Sequence, residues 1–374
     1  MAQPIVSAAH SRLISEWEHR VRYNLSESAV HPLSIRELSH EPDFLESLLD
    51  QKLNYPHTNG IPELRSRIAA MYPGASEDQV LVTIGAAQAN FLTTITLLER
   101  GDEIVMMLPT YKQLAAIGQR FGFPIRTITR RAEDGWAIDL NALNRIVSDK
   151  TKLIYVCNPG NPTGRILTKA EMAGLVEAAE RSGAWLLADE VCRGTERVTD
   201  ELTETFWGKS ERVITTNSLS KAYGLPGTRI GWVAAPAEIA HKLWSAQDTV
   251  TICAGMLDNR IAAYALQPDV QARLFRRSRD RIRKGYARLA RWLDEHSDMF
   301  WLVPPQAAAL AFVGYRRSIN SSELALELIK QKSILMVPGD GFGVDLFLRI
   351  SFDVPEAVLL AGLDGLHDIL QKSP

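Results

Sequence analysis

The chain has 374 residues, 46% hydrophobic and 23% charged, with a formal net charge of -2. That balance suits a large globular core in two structural units and excludes a broadly cationic nucleic-acid binder. No apolar run approaches the roughly 20 residues of a membrane helix, residues 1–6 lack the basic and apolar regions of a leader peptide, and Cys157, Cys192 and Cys253 are too scattered for a disulfide framework or a zinc site, so a cytoplasmic protein with reduced thiols is expected.

In chain order, the first 53 residues predict interrupted helices. Leu13, Ile14, Trp17 and Val21 fall at helical spacing, as do Phe44, Leu48 and Leu49. A polar loop over residues 24–32, with Ser26, Glu27 and Ser28, separates them. Beyond Tyr55, Pro62 suits the first turn of a helix with Leu64, Ile68 and Met71 on its apolar face. Residues 79–84 read as a strand and residues 85–98 as the helix that follows. Gly85, Ala86 and Ala87 at that helix start are small enough for backbone N–H groups to approach an anion, aided by the helix dipole. Close packing of a strand on a helix asks for the same small residues, so the motif alone leaves both readings open.

Strands at 103–108, 124–129, 152–157 and 184–188 then alternate with helices at 111–121, 140–147 and 168–181. Such alternation predicts right-handed crossovers and a largely parallel sheet covered on both faces. Ligands on these sheets sit beyond the carboxyl ends of the strands, which is where Tyr111, Asn158, Asn161 and Asp189 fall. A further strand at 212–215 runs into Ser218-Leu219-Ser220-Lys221, and Arg229 precedes the next strand at 230–235. Ser218 and Arg229 can hold an anion while Lys221 offers an amine to a carbonyl. A plain surface turn is the alternative for that stretch taken by itself.

From Pro236 the pattern turns helical. The basic stretch 273–291 carries Leu274, Ile282, Tyr286 and Leu289 at helical spacing, so its charges read as the solvated side of an amphipathic helix rather than a nucleic-acid surface. Strands at 300–303 and 310–314, a helix at 322–331, an apolar strand at 347–352 and a last helix form a smaller α/β unit. Arg349 is the one charge in its strand and suits a bidentate grip on a carboxylate, with Asn161 assisting. No metal-binding run or dinucleotide fingerprint occurs.

The Ser218-Leu219-Ser220-Lys221 run with its trailing Arg229, together with the ordered motifs from about Tyr55 to Phe352, resembles the pyridoxal-phosphate lysine motif of the class I/II aminotransferases, the fold-type I family. The resemblance implies an α/β fold with a mainly parallel sheet flanked by helices and a smaller α/β domain. It divides the chain into an N-terminal arm with part of the small domain (1–50), a large cofactor-binding domain (51–265) and a C-terminal small domain (266–374). It implies pyridoxal 5'-phosphate as cofactor, with Lys221 as covalent anchor and proton carrier. Asp189 would keep the pyridine nitrogen protonated, Tyr111 would stack on the ring, and Asn161 would sit beside both ring and substrate. Gly85, Ala86, Ala87, Ser218 and Arg229 would hold the phosphate, joined by the partner subunit's Tyr55, which makes a homodimer with shared sites. The implied reaction moves an amino group between an amino acid and a 2-oxo acid, with neither nucleic acid nor membrane as partner.

Two departures stand out. Members of the family usually carry tyrosine three residues after the cofactor aspartate, where its hydroxyl donates to the ring oxygen; here that place is Cys192, a weaker donor. The loss hints at elimination, replacement or cyclisation instead of plain amino transfer. Residues 305–309, Pro-Gln-Ala-Ala-Ala, replace the usual glycines and would narrow the pocket. The Ser26-Glu27-Ser28 loop and Val191-Cys192-Arg193-Gly194 loosely resemble aminotransferase-like enzymes that build unusual amino acids such as capreomycidine from arginine derivatives, in which case Glu27 would hold a cationic side chain. A non-catalytic regulator on this fold would carry an added DNA-binding domain, for which the stretch before residue 55 is too short.

Overall fold

A seven-stranded sheet forms the centre of the computed structural model, which describes residues 9–372. The chain reaches it through α1 (Ala9–Trp17), β1 (Tyr23–Asn24), α2 (Ile35–Leu38), α3 (Pro42–Leu49) and α4 (Pro62–Ala69). There follow β2 (Val80–Ile84), α5 (Gly85–Leu97), β3 (Glu103–Leu108), α6 (Gln113–Phe121), β4 (Ile125–Thr129) and α7 (Leu140–Ile146). β5 (Thr151–Cys157), α8 (Lys169–Ser182), β6 (Trp185–Asp189), β7 (Val213–Ser218) and β8 (Ile230–Ala234) complete the sheet, in the order β2-β8-β7-β6-β5-β3-β4. Neighbours from β4 to β7 pair parallel. Only β8 reverses, antiparallel to both β7 and β2. Its link from β7, residues 219–229, is a tight loop closed by a 3-10 turn at Pro226–Thr228. A parallel return would need a crossover of about a dozen residues or more, usually a helix. The reversal keeps Lys221 in a short loop at the end of β7.

The remaining elements are α9 (Ala237–Val250), α10 (Met256–Ala265), α11 (Pro268–Glu295), β9 (Phe300–Leu302), β10 (Leu310–Tyr315) and α12 (Ser321–Lys332). After them come β11 (Ile334–Leu335), β12 (Val337–Pro338), β13 (Phe347–Ser351) and α13 (Glu356–Lys372). β12, β13, β10 and β9 form a four-stranded antiparallel sheet, and β1 pairs parallel with β11.

Burial follows the period of two that a strand imposes. Ile154, Val156, Leu186 and Ala188 face one way onto Leu143 of α7 and Leu175 of α8. Leu153, Tyr155, Leu187 and Ile214 face the other way onto Leu92 of α5, Leu114 of α6 and Leu243 of α9. The four-stranded sheet covers its own core with Leu289 and Trp292 of α11, Leu328 of α12 and Leu363 of α13. Leu25 and Val30, from the N-terminal segment, insert into that same core.

Several sequence expectations need correction. α1 ends at Trp17, before Val21, and Leu49 of α3 is 78% exposed rather than part of an apolar face. α6 begins at Gln113, leaving Tyr111 in the loop. The basic face of α11 is not simply solvated. Arg279 is buried and pairs with buried Glu196 at 2.6 Å, Arg281 pairs with Asp353 at 2.9 Å, and Arg283 reaches Asp200 at 2.6 Å. These arginines tie α11 to loops of both sheets, a purpose that charge periodicity does not reveal. Among the described residues no helix is long and apolar enough to cross a membrane.

Candidate active site

The segments that follow β3, β5, β6 and β7 meet at a cavity of about 420 Å³. Tyr111, Asn161, Asp189, Ser218 and Lys221 line it from the large sheet, and Arg349 lines it from β13. At the end of β6 the Asp189 carboxylate is buried and accepts three hydrogen bonds. Asn90 Nδ2 of α5 donates to Oδ2 at 2.9 Å, the Tyr155 hydroxyl of β5 donates to Oδ2 at 3.1 Å, and the Val191 N–H donates to Oδ1 at 3.2 Å. Thr216 of β7 fixes the other end of the Asn90 amide at 2.9 Å, so strands and helix hold the acid together. Burial pushes the Asp189 carboxyl up, and its hydrogen bonds and Lys221 pull against that.

Lys221 stands in the loop after β7 and donates to the Ser28 hydroxyl at 2.7 Å. Burial pulls its ammonium pKa down, Cys192 and Glu27 oppose the fall, and Arg349 adds to it. An amine depressed in this way is closer to the neutral form that adds to a carbonyl.

An anion cradle lies beside the lysine. Ala86 and Ala87, in the first turn of α5, present N–H groups with no intrahelical partner. Ser218, Ser220 and Arg229 complete the cradle. Arg229 takes a left-handed conformation, φ 48°, and donates from Nη1 to the Pro226 carbonyl at 2.8 Å. Gly85 has φ 70°, and a Cβ there would lie 2.5 Å from Arg229 Nη2. A Cβ on Gly231 of β8 would collide with the Ala86 nitrogen. These two glycines are what let the start of α5 and the arginine close on one small space.

On the opposite side Arg349 is buried, donates from Nη1 to Asn161 Oδ1 at 3.2 Å and from Nη2 to the Ser26 carbonyl at 2.5 Å, and leaves Nε without a partner. Burial lowers its pKa to about 10, with Glu27 opposing, so it stays a cation at neutral pH. Glu27, together with Ile14 and Ser15 of α1 and Glu18 just beyond it, lines the rest of the cavity.

Of the predicted site residues, Lys221, Asp189, Asn161, Tyr111, Ala86, Ala87, Ser218, Arg229, Arg349 and Glu27 meet here. Gly85 supports the cradle from behind, because Arg229 fills the place of its missing side chain. Cys192 is 1% exposed and packs with Ala86, Val191, Ala308 and Leu310, close enough to Lys221 to act on its charge, and burial pushes its thiol up to about 12. None of residues 305–309 lines the cavity, and Ala308 packs with Cys192 and with the lining residues Ala86 and Val191. Tyr55 is 76% exposed and lies at a second cavity with Leu53, Cys253 and Met256. Asn158 turns inward, accepting from the Leu167 N–H at 3.0 Å.

Sequence reasoning missed Asn90, Tyr155, Cys157, Ser28 and the α1 residues. Signals existed for three of them. Asn90 is a polar residue one turn beyond Ala86 on α5, and Tyr155 and Cys157 are two apart on β5 and therefore share a face. Ser28 and α1 arrive from a distant part of the chain, with no local mark.

A family model described as aminotransferase class I and II matches residues 28–366. Capreomycidine synthase of Streptomyces vinaceus is 28% identical over 371 residues, covering 98% of this chain and 95% of that protein. A probable aspartate aminotransferase of Methanocaldococcus jannaschii is 29% identical over 347 residues, covering 86% of this chain and 88% of that one. The crystal structure of a PLP-dependent aminotransferase from Streptococcus suis superposes with a TM-score of 0.91 at 30% identity, covering 100% of this chain and 99% of the other.

Proposed function

Because this chain belongs to the class I and II aminotransferase family, we propose that it holds pyridoxal 5'-phosphate in the 420 Å³ cavity and moves the amino group of an amino acid to a 2-oxo acid. The observation that carries the reading is the meeting of a pKa-lowered lysine, a buried aspartate and an unsaturated arginine in one cavity. The residues present fit this cofactor. The α5 cradle with Ser218 and Arg229 suits a phosphate. Asp189 accepts three hydrogen bonds, and a carboxylate has about four acceptor sites, leaving room for a protonated ring nitrogen. Lys221 supplies the amine that anchors an aldehyde. Tyr111 lines the same cavity and offers an aromatic surface.

Once bound, the cofactor supplies a conjugated system that accepts the electron pair left when the Cα–H bond of an amino acid breaks. The protein's own groups do the rest. Arg349 grips the α-carboxylate through its fork, with Asn161 holding that fork in plane. Lys221 Nζ takes the α-proton and carries it while the amine is free. Asp189, held by Asn90 and Tyr155, keeps a proton at the ring nitrogen. The exposed Tyr55, with Leu49 78% and Leu53 79% exposed nearby in sequence, supports a second copy covering that surface and lending Tyr55 to its neighbour's phosphate.

Borohydride reduction after loading with the cofactor should leave a stable adduct on Lys221; its absence refutes the reading. A second reading, elimination or cyclisation on the substrate side chain, is favoured by the hidden Cys192 where a phenol is usual, and by Glu18 and Glu27 lining the cavity, which suit a cationic side chain. The similarity to capreomycidine synthase supports it as well. Single-turnover analysis separates the two. Amino transfer consumes one equivalent of donor per site and stops until an oxo acid is added, whereas elimination or cyclisation continues on the donor alone. Glu27→Gln should weaken basic donors about tenfold and leave neutral ones unchanged if the second reading holds.

A further inference from the structure

The segment 24–33 bridges the two halves of the site. At one end the Leu25 N–H donates to the Leu335 carbonyl at 2.9 Å, the Leu25 carbonyl accepts from the Ser351 N–H at 2.8 Å, and the Ser26 carbonyl accepts from Arg349. Asn24 Oδ1 stiffens it, accepting from the Ser26 N–H at 2.9 Å and the Ser26 hydroxyl at 2.7 Å. At the other end the His31 N–H donates to Asp353 at 2.8 Å, and the Leu33 N–H donates to the Gly224 carbonyl, inside the lysine loop, at 2.9 Å. Leu25, Ser26, Ala29 and Val30 are buried. Ser28 sits between the two anchored ends, with its hydroxyl on Lys221 Nζ.

We propose that Ser28 is a positioning residue for Lys221, holding the free amine where it can carry the α-proton, and that this strap links the amine to the arginine that reads the substrate carboxylate. The proposal rests on the reading of Lys221 given above. In the step concerned, the Cα–H bond breaks, its proton goes to Nζ, and the electron pair stays with the cofactor-bound substrate. A lysine side chain has four methylene carbons and the rotamer freedom that goes with them. One hydroxyl on a fixed strap removes much of that freedom at the moment the amine is free, and it accepts a hydrogen bond from the ammonium once the proton has arrived. Among the described residues this is the one hydrogen bond that Nζ donates. The charged or titratable groups that act on Nζ are Cys192 and Asp189 from the β6 end, Glu27 from the strap and Arg349 from β13. None replaces a hydroxyl at 2.7 Å.

The strap also makes Ser28 responsive. Ser26, whose carbonyl Arg349 holds, lies two residues from Ser28. A carboxylate arriving at Arg349 competes for the same Nη2, so occupancy of the arginine reaches the lysine through two peptide units.

The test uses the holoenzyme and follows exchange of the donor's α-proton in D2O by NMR, a readout common to amino transfer and to side-chain chemistry. Ser28→Ala should slow exchange about 10- to 100-fold, with KM for the donor changed less than about twofold and the melting temperature retained. Losing the acceptor disfavours the ammonium, so the rising acidic limb of the exchange-versus-pH profile should move to lower pH. Ser28→Thr, which keeps the hydroxyl, should restore most of the rate. Exchange in Ser28→Ala within about twofold of the unaltered enzyme, or a loss of rate with an unmoved pH limb and no rescue by threonine, overturns the proposal. A borohydride adduct on Lys221 in the unaltered enzyme separates that outcome from failure of the cofactor reading, which would remove both.

Discussion

Glu190 offers a direct measure of how deeply the end of β6 is buried. It follows Asp189 but does not line the cavity; it is fully buried and accepts from the Thr205 hydroxyl at 2.8 and 2.9 Å and from the Phe206 N–H at 2.7 Å. Burial raises its carboxyl pKa from 4.5 to about 7 against the opposing pull of Arg193 and these hydrogen bonds. Below pH 4.5 the acid is protonated in folded and unfolded chain alike, and no penalty exists. Between 4.5 and about 7 the unfolded chain releases a proton that the folded protein keeps, so stability falls as pH rises, and the loss levels off above that window. At roughly 1.4 kcal/mol per pH unit the full penalty is about 3 kcal/mol. Glu190→Gln keeps a carbonyl acceptor for Phe206 and removes the titration. Urea unfolding followed by tryptophan fluorescence at pH 4, 6 and 8 should therefore show the variant gaining about 3 kcal/mol on the unaltered protein across that range. Every other group titrates in both proteins and cancels. Parallel stability curves, or a variant that loses ground at pH 8, would refute the assignment of a strained buried acid.

Arg349→Lys replaces a planar fork with a point charge, and KM for amino-acid donors should rise about 10- to 100-fold while borohydride still traps the cofactor on Lys221. Gly85→Ala places a Cβ at φ 70° and 2.5 Å from Arg229 Nη2. The backbone strain of about 1–2 kcal/mol and the displaced guanidinium should raise the cofactor dissociation constant about tenfold, read by fluorescence titration of the apoprotein. Arg279→Met leaves Glu196, buried and 2.6 Å from that guanidinium, without its counter-charge. The cost should be about 3–5 kcal/mol in unfolding experiments, with much of it recovered when Glu196 is also made apolar.

Lys221, Asp189 and Arg349 were legible because each breaks a local apolar pattern at a strand or strand end, where a charge needs a reason. The alternation of strands and helices placed the first two on one edge of the sheet, and that edge is where the cavity opens. The support of Asp189 was not legible, since Asn90, Tyr155 and Thr216 sit on three elements whose neighbourhood depends on sheet order. Cys192 shows the limit of reading by position alone. Its place in the sequence suggests a ring contact, and the fold adds what position could not, its packing with Ala308 and Leu310. The arginines of α11 were misjudged for a similar reason. Periodicity gives the face of a helix, and only the fold says whether water or a partner such as Glu196 lies across from it.

The bond between Ser26 and Arg349 spans 323 positions. The strands that carry the cradle, the buried acid and the lysine loop all lie between Val80 and Ala234 and find their partners among themselves. Closing a loop as long as nearly the whole chain comes late, because its entropic cost is met only when both ends are in place. A nascent chain on the ribosome thus completes the cradle and the lysine loop well before Arg349 emerges, and the opening residues must wait for the last strand before the cavity has its full wall.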